Sequence, residues 1–254
     1  MTVEGKHTDI AQESLHAVPY RFAFNSSERG CRALDVGVGD GASLKRAIEW
    51  SKVQVPSSIL GLDVCSSILL TLPEETDILP INADGLYLPF GDETFSLVIS
   101  SQVIEHIERR SHLRFLSELI RITERDGRVI ISTMNKEFPY YVKGHKEHLA
   151  EFDTEEARCL AKTCEQFGET EIYAVIPSQR FIRAYSQRAK FWFLRPVKNF
   201  VPRKLSELVL TLLTKGEIKS GLDMRADFQI KKLEELEESE QFTDFVIEIV
   251  KKTR

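Results

Sequence analysis

Short apolar segments alternate with helical segments along most of this chain, and this alternation is the strongest constraint on its fold. The candidate strands are residues 32–36, 58–63, 78–82, 95–101, 128–133 and 172–176. The candidate helices between them are residues 42–50, 66–72, 105–125 and 154–167. This order is typical of βαβ units and of a mostly parallel, buried sheet. Ligands bind such sheets beyond the carboxyl ends of the strands.

Local signals predict where several helices begin and end. Residues 7–24 predict a short helix that stops before Pro19 and is followed by an aromatic stretch. Gly127 fits the C-terminal end of the helix over 105–125. Thr154 is the expected N-cap of the last helix because two glutamates follow it.

Composition excludes several classes of protein. The 254 residues are 42% hydrophobic and 29% charged, which is ordinary for a globular protein and excludes collagenous, disordered and disulfide-scaffold classes. No apolar run approaches the roughly 18–20 residues that span a bilayer, and the start lacks the features of a signal peptide. We therefore expect a cytoplasmic protein. A net charge of −5 argues against a general nucleic-acid binder.

A glycine cluster follows the first candidate strand. Residues 33–41 read ALDVGVGDG, with Gly37, Gly39 and Gly41 lying between a strand and a helix. Glycines at such a turn allow backbone N–H groups to approach a ligand closely. The spacing alone also fits a dinucleotide site, since Ala42 stands at a position where those sites tolerate alanine.

An acidic residue lies at or close to the end of each of the first three candidate strands. Asp35 precedes the glycines, and Asp63 ends the second strand, where its carboxylate can accept both hydroxyls of a ribose. An acid in this position is shared with dinucleotide enzymes and does not discriminate. Asp84, which follows Ala83 after the third strand, can accept a hydrogen bond from an adenine amino group.

Four segments together carry a family resemblance: ALDVGVGDG, ILGLDV, NADGLYLPFGDETFSLVISSQVIEHI and LRFLSELIRITERDGRVIISTMN. In this order and spacing they resemble the class I S-adenosylmethionine-dependent methyltransferases, specifically the type 11 group, over residues 30–176. The resemblance implies an α/β, Rossmann-like sheet of seven mostly parallel strands with helices on both faces. The last strand, over residues 243–251, is implied to be antiparallel.

The same resemblance divides the chain into three parts. Residues 1–29 are expected to be an N-terminal helical segment, and residues 30–176 with 243–254 the S-adenosylmethionine-binding domain. Residues 177–242 are expected to be a helical insertion between strands six and seven, which serves as a lid or as a membrane-contact subdomain.

S-adenosylmethionine is the methyl donor that the resemblance implies, and its binding residues are carried over position by position. The implied donor-binding residues are Asp35, Gly37 and Gly39 on the methionine and ribose side, Asp63 at the ribose hydroxyls, Ala83 and Asp84 at the adenine, and Ser101 and Gln102 at the methionine moiety. Val38 departs from the Cys, Ala or Ser common in the family and is expected to be neutral for binding.

Three histidines, His106, His145 and His148, are candidates for catalysis, and we select His106 and His148. His106 follows the fourth strand, and His148 lies in the loop after the fifth strand, where this family builds its acceptor site. His148 and Phe152 form an HxxxF pattern similar to small-molecule and glycan methyltransferases of this group.

The ubiquinone-pathway O-methyltransferases resemble this chain in the EHI segment, where an ExxEH set can hold a divalent cation. Gln102 replaces the first acid of that set and leaves Glu105 and His106. We expect no metal, because an amide is a weaker ligand than a carboxylate for a hard cation.

These observations predict an enzyme that methylates a small-molecule or lipid- or glycan-linked acceptor, with oxygen preferred as the acceptor atom. C- or N-methylation of a quinone-like or other metabolite is an alternative. Adenine and glutamine amino groups are disfavoured, because no Pro-Pro-aromatic set follows the fourth strand. Two further alternatives are a non-catalytic S-adenosylmethionine-binding protein and a membrane-associated adaptor.

The insertion contains an unusually basic stretch. Residues 180–204 include eight Lys or Arg and no Asp or Glu, interleaved with aromatic residues, and an apolar run over 205–213 follows. This pattern favours peripheral contact of residues 180–213 with an anionic membrane, or with an anionic lipid or glycan acceptor. Single-stranded nucleic acid is the least favoured partner. A lid packed on the sheet, with solvated charges, is the simpler alternative.

Overall fold

The computed structural model describes residues 15–25, 30–50, 55–73, 77–139, 141, 146–183 and 227–252, which form one sheet flanked by helices. The strands are β1 (Arg32–Val36), β2 (Ser58–Asp63), β3 (Ile78–Asn82), β4 (Phe95–Ser101), β5 (Thr123–Met134), β6 (Gly168–Pro177), β7 (Phe228–Lys232) and β8 (Asp244–Lys251). The helices are α1 (Val18–Asn25), α2 (Ala42–Trp50), α3 (Ser66–Leu69), α4 (His112–Ile122) and α5 (Thr154–Cys164). None of these helices has the length and apolar content needed to cross a membrane.

The strand order is β3-β2-β1-β4-β5-β8-β6-β7. Strands β1 to β5 pair in parallel, whereas β8 runs antiparallel between β5 and β6. The chain leaves β1 in one direction and returns to its other side at β4, so the point where the strand order reverses lies at β1. This confirms the mostly parallel sheet with an antiparallel last strand.

Both faces of the sheet are covered by helices, as predicted. Because side chains alternate along a strand, Ala33 and Leu97 pack with the apolar residues of α1 and α2, while Leu34 and Val98 pack with those of α4 and α5. All four side chains are fully buried, or nearly so. This double cover explains why the strands are continuous apolar runs.

The sheet has eight strands where seven were expected. The additional strand, β7, lies inside the expected insertion and pairs antiparallel with the edge of β6. It packs through Phe228, whose ring contacts that of Phe181 in an edge-to-face arrangement. With the sequence FQIKK, it offers too few apolar positions for its periodicity to be recognised. Residues 184–226, which include most of the basic stretch, lie outside the described residues.

The helix expected over 105–125 is shorter at both ends. Residues 104–106 and 109–111 form separate 3-10 turns, and α4 begins only at His112. The Glu105 carbonyl accepts the N–H groups of Leu149 and Ala150, so tertiary contacts use the acceptor that a helix would need. At the other end, Thr123 already pairs with β4, and Gly127 lies in an irregular part of β5 and not at a helix end.

Two other boundaries also differ. Asp153, and not Thr154, caps α5: its carboxylate accepts from the Glu156 N–H, and the Glu156 carboxylate accepts from the Asp153 N–H. The aromatic stretch predicted after Pro19 is itself helix α1. Pro19 fits there because the first turn of a helix needs no N–H from that residue.

Candidate active site

The glycine loop after β1 contains three glycines with left-handed backbone angles. For two of them, glycine is needed for different structural reasons. Gly37 has a φ of 88°, and a Cβ at this position would lie 2.2 Å from the Val103 Cγ2 atom. Gly39 has a φ of 57°, but the nearest side-chain atom is 4.0 Å from its ideal Cβ position. Close internal packing therefore requires glycine at 37, whereas Gly39 leaves open space in which a ligand can approach the backbone.

Asp63, at the end of β2, holds this loop. One carboxylate oxygen accepts the Gly39 N–H at 3.1 Å, and the other accepts the Cys65 N–H at 2.8 Å. A carboxylate has about four lone-pair sites, so two remain for further donors such as vicinal hydroxyls. The same residue thus organises the loop and retains the capacity to bind a ribose.

The end of β3 is tied to the end of β2 by side-chain and backbone bonds. The Asn82 side-chain amide donates to the carbonyls of Asp63 and Val64, and the Ala83 N–H donates to the Asp63 carbonyl. Asp84 is exposed and accepts the Leu86 N–H through Oδ1 at 2.9 Å. Asn82 was not predicted as a site residue; its role is to fix this strand end.

Asp35 lies behind the glycine loop, fully buried. The Tyr20 hydroxyl donates to its Oδ2 at 2.9 Å, while Oδ1 has no partner among the described residues. Burial raises the pKa of Asp35 to about 7. The contact with α1 was missed by the sequence analysis, because nothing in the sequence near Tyr20 indicates an acid as its partner.

Ser101 and Gln102 close the other side of the loop, at the end of β4. The hydroxyls of Ser101 and Ser132 lie 2.9 Å apart and are buried. The Gln102 N–H donates to the Ser132 carbonyl, and its side-chain amide donates to Asp244 Oδ1 at 2.9 Å. The predicted donor-binding residues of β1, β2, β3 and β4 therefore meet along one edge of the sheet.

Two buried carboxyl groups lie beside this edge, and neither was predicted as a donor or catalytic residue. Glu105 is 2% exposed and accepts from the Thr133 hydroxyl, and Asp244 is 1% exposed. Burial raises the pKa of Glu105 to about 8 and that of Asp244 to about 7. In the described part of the chain, one oxygen of each carboxyl has no partner. The only sequence signal for Asp244 is its place at the start of an apolar strand.

The two candidate histidines are neighbours. The rings of His106 and His148 meet edge to face, with centroids 5.0 Å apart. His106 Nδ1 lies 3.0 Å from the Glu147 carbonyl, and His148 Nδ1 lies 3.1 Å from the Tyr141 hydroxyl. Ligand atoms of Glu105 and both histidines lie within 4.8 Å of one another, an arrangement that can hold a metal ion. Our expectation of no metal stays a prediction.

These residues fit S-adenosylmethionine as a ligand. Gly39 presents an open backbone, Asp63 retains acceptor capacity for hydroxyls, and Asp35 Oδ1 is a buried acceptor to which no described residue donates. Each feature lies at the carboxyl end of the parallel strands, where α/β sheets bind ligands.

Part of the chain matches a family model and one curated relative. Residues 34–131 match the type 11 family model described as "Methyltransferase domain". An uncharacterized protein of Methanocaldococcus jannaschii is 32% identical over 106 residues, which are 41% of this chain and 41% of that protein. The chain therefore matches less than half the length of this curated relative.

Solved structures show the same fold. A SAM-dependent methyltransferase from Archaeoglobus fulgidus has a TM-score of 0.56 at 15% identity, over 96% of this chain and 95% of its own. A possible histamine N-methyltransferase from Thermotoga maritima also has a TM-score of 0.56 at 15% identity, over 94% and 91%. Residues 34–131 therefore match the methyltransferase domain of the type 11 group, and the chain shares its fold with S-adenosylmethionine-dependent methyltransferases.

Proposed function

We propose that this protein methylates a hydroxyl oxygen of a small-molecule or lipid- or glycan-linked acceptor. The observation that carries the choice of oxygen is a hydrogen-bonded chain of Glu151, Tyr141 and His148. The Tyr141 hydroxyl lies 2.8 Å from Glu151 Oε1 and 3.1 Å from His148 Nδ1. A hydroxyl needs more help than an amine to lose its proton, and these hydrogen bonds prepare His148 to act as the base.

The hydrogen bonds between Glu151, Tyr141 and His148 set the tautomer of His148. An ionised carboxylate only accepts hydrogen bonds, so the single phenolic hydrogen of Tyr141 goes to Glu151. His148 Nδ1 must then carry a hydrogen and donate it to the Tyr141 oxygen. In that tautomer the lone pair of the imidazole is on Nε2, the atom that accepts a proton.

The proton balance of the reaction follows from this arrangement. When bound, the donor supplies an electrophilic methyl group on a sulfonium sulfur. Such a donor would give its methyl group to the acceptor oxygen and leave as the neutral thioether. The part of the protein is to take the hydroxyl proton on His148 Nε2. The resulting imidazolium is stabilised by Tyr141 and, through it, by the Glu151 carboxylate.

His106 supports this pair from the side. Its Nδ1 faces a carbonyl, which only accepts, so His106 also carries its hydrogen on Nδ1. The edge-to-face contact with His148 restricts the orientation of both rings. We assign His106 a positioning role and His148 the proton transfer.

The test is a screen with radiolabelled S-adenosylmethionine against hydroxyl-bearing acceptors, including polyprenyl and glycolipid extracts. His148→Ala is expected to lower turnover at least 100-fold without changing the affinity for S-adenosylhomocysteine. Lys146→Ala, an exposed neighbour in the same loop, is the control and is expected to retain full activity. Full turnover by His148→Ala contradicts the proposed role of the histidine.

N-methylation of an amine is the second candidate, and the buried carboxyls of Glu105 and Asp244 favour it. Neither has a cationic partner in the part of the chain that is described, so a basic amine is a complementary ligand. Two structural neighbours are named for amine substrates, histamine and phosphoethanolamine. An amine acceptor predicts that turnover survives in His148→Ala and falls in Glu105→Gln.

Contact of residues 180–213 with an anionic membrane remains a proposal from the sequence alone. Only Arg180 and Arg183 of its basic residues belong to the described part of the chain. Sedimentation with vesicles of anionic lipid, compared with zwitterionic vesicles, tests it. Equal recovery from both vesicle types contradicts the proposal.

A further inference from the structure

Gln102 has a backbone conformation that its side chain disfavours. Its φ is 58°, a left-handed value that only two other non-glycine residues share in the described part of the chain. Such a conformation costs on the order of 1–2 kcal/mol and persists only where surrounding contacts impose it. The contacts that impose this conformation on Gln102 involve a residue outside the donor-binding loops.

Two hydrogen bonds hold Gln102. Its N–H donates to the Ser132 carbonyl at 2.9 Å, and its side-chain amide donates to Asp244 Oδ1, also at 2.9 Å. The first bond extends the pairing of β4 with β5. The second joins residues 142 positions apart and is made by the side chain itself.

Asp244 is a rigid anchor for this bond. It is 1% exposed and is the first residue of β8, where it pairs with Met134 of β5 and with Val175 of β6. A residue paired on both sides inside a sheet has little freedom to move. The position of its carboxyl group is therefore set by the sheet and not by the loop that it holds.

The next residue, Val103, transmits this position to the glycine loop. Its Cγ2 atom occupies the space where a Cβ of Gly37 would lie, 2.2 Å from that ideal position. The turn after β4 and the loop after β1 therefore pack without room for an extra methyl group. A shift of Gln102 would displace Val103 and with it the wall of the loop.

We propose that Asp244 is a positioning residue for the methyl donor, because it fixes Gln102 and thereby holds the turn after β4 against the Gly37 loop. The proposal rests on the proposed function, since it assumes that the donor binds at this loop. It adds a residue from the last strand of the sheet to a site otherwise built from the first four strands.

The experiment compares two ligands by isothermal titration calorimetry. S-adenosylhomocysteine carries the amino-acid moiety, and 5′-methylthioadenosine carries the adenosine and the sulfur without it. Asp244→Leu is expected to lower the affinity for S-adenosylhomocysteine at least 10-fold and to change the affinity for 5′-methylthioadenosine less than twofold. Asp244→Asn is expected to bind both like the wild type, because the asparagine Oδ1 still accepts from Gln102.

Gln102→Leu removes the other partner and serves where Asp244→Leu does not fold. The double variant is expected to bind no more weakly than the weaker single variant, since both lose the same bond. Thr133→Val, which removes a different buried hydroxyl bond at this edge, is the control and is expected to bind both ligands normally.

The outcomes separate the two proposals. Unchanged affinity for S-adenosylhomocysteine in Asp244→Leu and Gln102→Leu overturns the positioning role. An equal loss for both ligands also overturns it, because it indicates general damage to the fold. A wild-type protein that binds neither S-adenosylhomocysteine nor S-adenosylmethionine contradicts the proposed function itself.

Discussion

The two halves of the site satisfy their polar groups in different ways. In the donor half, residues 35–41, 63 and 82–84, the exposed-edge carboxylates of Asp63 and Asp84 accept backbone N–H groups. The acceptor half consists of Glu105, His106 and His148, and Asp244 lies between the two halves. The buried carboxyls of Glu105 and Asp244 each retain an oxygen without a partner in the described chain. Apart from the buried Asp35, the donor half is therefore organised by bonds to its own backbone, whereas the Glu105 carboxyl of the acceptor half retains an oxygen that a proton or a ligand must satisfy.

The largest effect is expected from removing the central carboxylate of the donor half. Asp63→Ala is expected to lower the affinity for S-adenosylhomocysteine at least 100-fold. The change removes the two hydrogen bonds that hold the loop and also the acceptor for the ribose hydroxyls. Titration calorimetry measures this. Asp40→Ala is the control, since among the described residues its carboxylate accepts the nearby Ala42 N–H and no other group. Equal affinities for both variants would show that the loop is not organised by Asp63.

Adding a methyl group to the glycine loop tests whether the donor half is rigidly packed. Gly37→Ala is expected to lower the free energy of unfolding by about 2–4 kcal/mol, since the new Cβ clashes with Val103 in a left-handed backbone. Gly39→Ala has only the backbone cost, about 1 kcal/mol. Chemical denaturation measures both, and Gly37→Ala combined with Val103→Ala is expected to recover part of the loss.

The stability of the acceptor half is expected to depend on pH. Glu105 has a pKa of about 8 when folded, above the ordinary 4.5, so the folded state keeps a proton that the unfolded chain loses. Stability therefore falls as pH rises from about 4.5 to about 8. Glu105→Gln removes this loss. Between pH 5 and pH 8, the free energy of unfolding of this variant is expected to rise relative to wild type by on the order of 2 kcal/mol.

Thermal unfolding at several pH values measures that difference. Glu155→Gln is the control for the loss of one carboxyl group, because the Glu155 side chain is 86% exposed. A constant difference between Glu105→Gln and wild type would show that Glu105 is ionised in the folded protein across this range.

The contrast between the halves also explains how much the sequence could predict. The elements of the donor half are local motifs: a glycine turn after a strand and an acid at a strand end. Their residue types therefore predict both the fold and the clustering at one edge. The partners Tyr20 and Asp244 lie 15 and 142 residues from the residues they bind, and only tertiary packing brings them together.

The wrong helix boundaries have the same origin. Apolar periodicity predicts a helix over 105–125, but it carries no information about the Glu105 carbonyl, which accepts N–H groups from residues 149 and 150. Nor does it show that Thr123 pairs with Phe95 of β4. In both places a long-range hydrogen bond overrides a local preference, and the sequence distance of the partner hides it.

The smallest effect is expected at the rim of the acceptor half, from Tyr141→Phe. This change removes the hydroxyl between His148 Nδ1 and Glu151, so the contact that selects the Nδ1–H tautomer is lost. Because the group is only half-buried, the cost to stability is expected to stay below about 1 kcal/mol. The ¹⁵N shifts of the His148 ring are expected to indicate one tautomer in the wild type and a mixture in Tyr141→Phe. Identical shifts in the two proteins would show that the tautomer is set elsewhere, and the acceptor half would then be organised independently of Glu151.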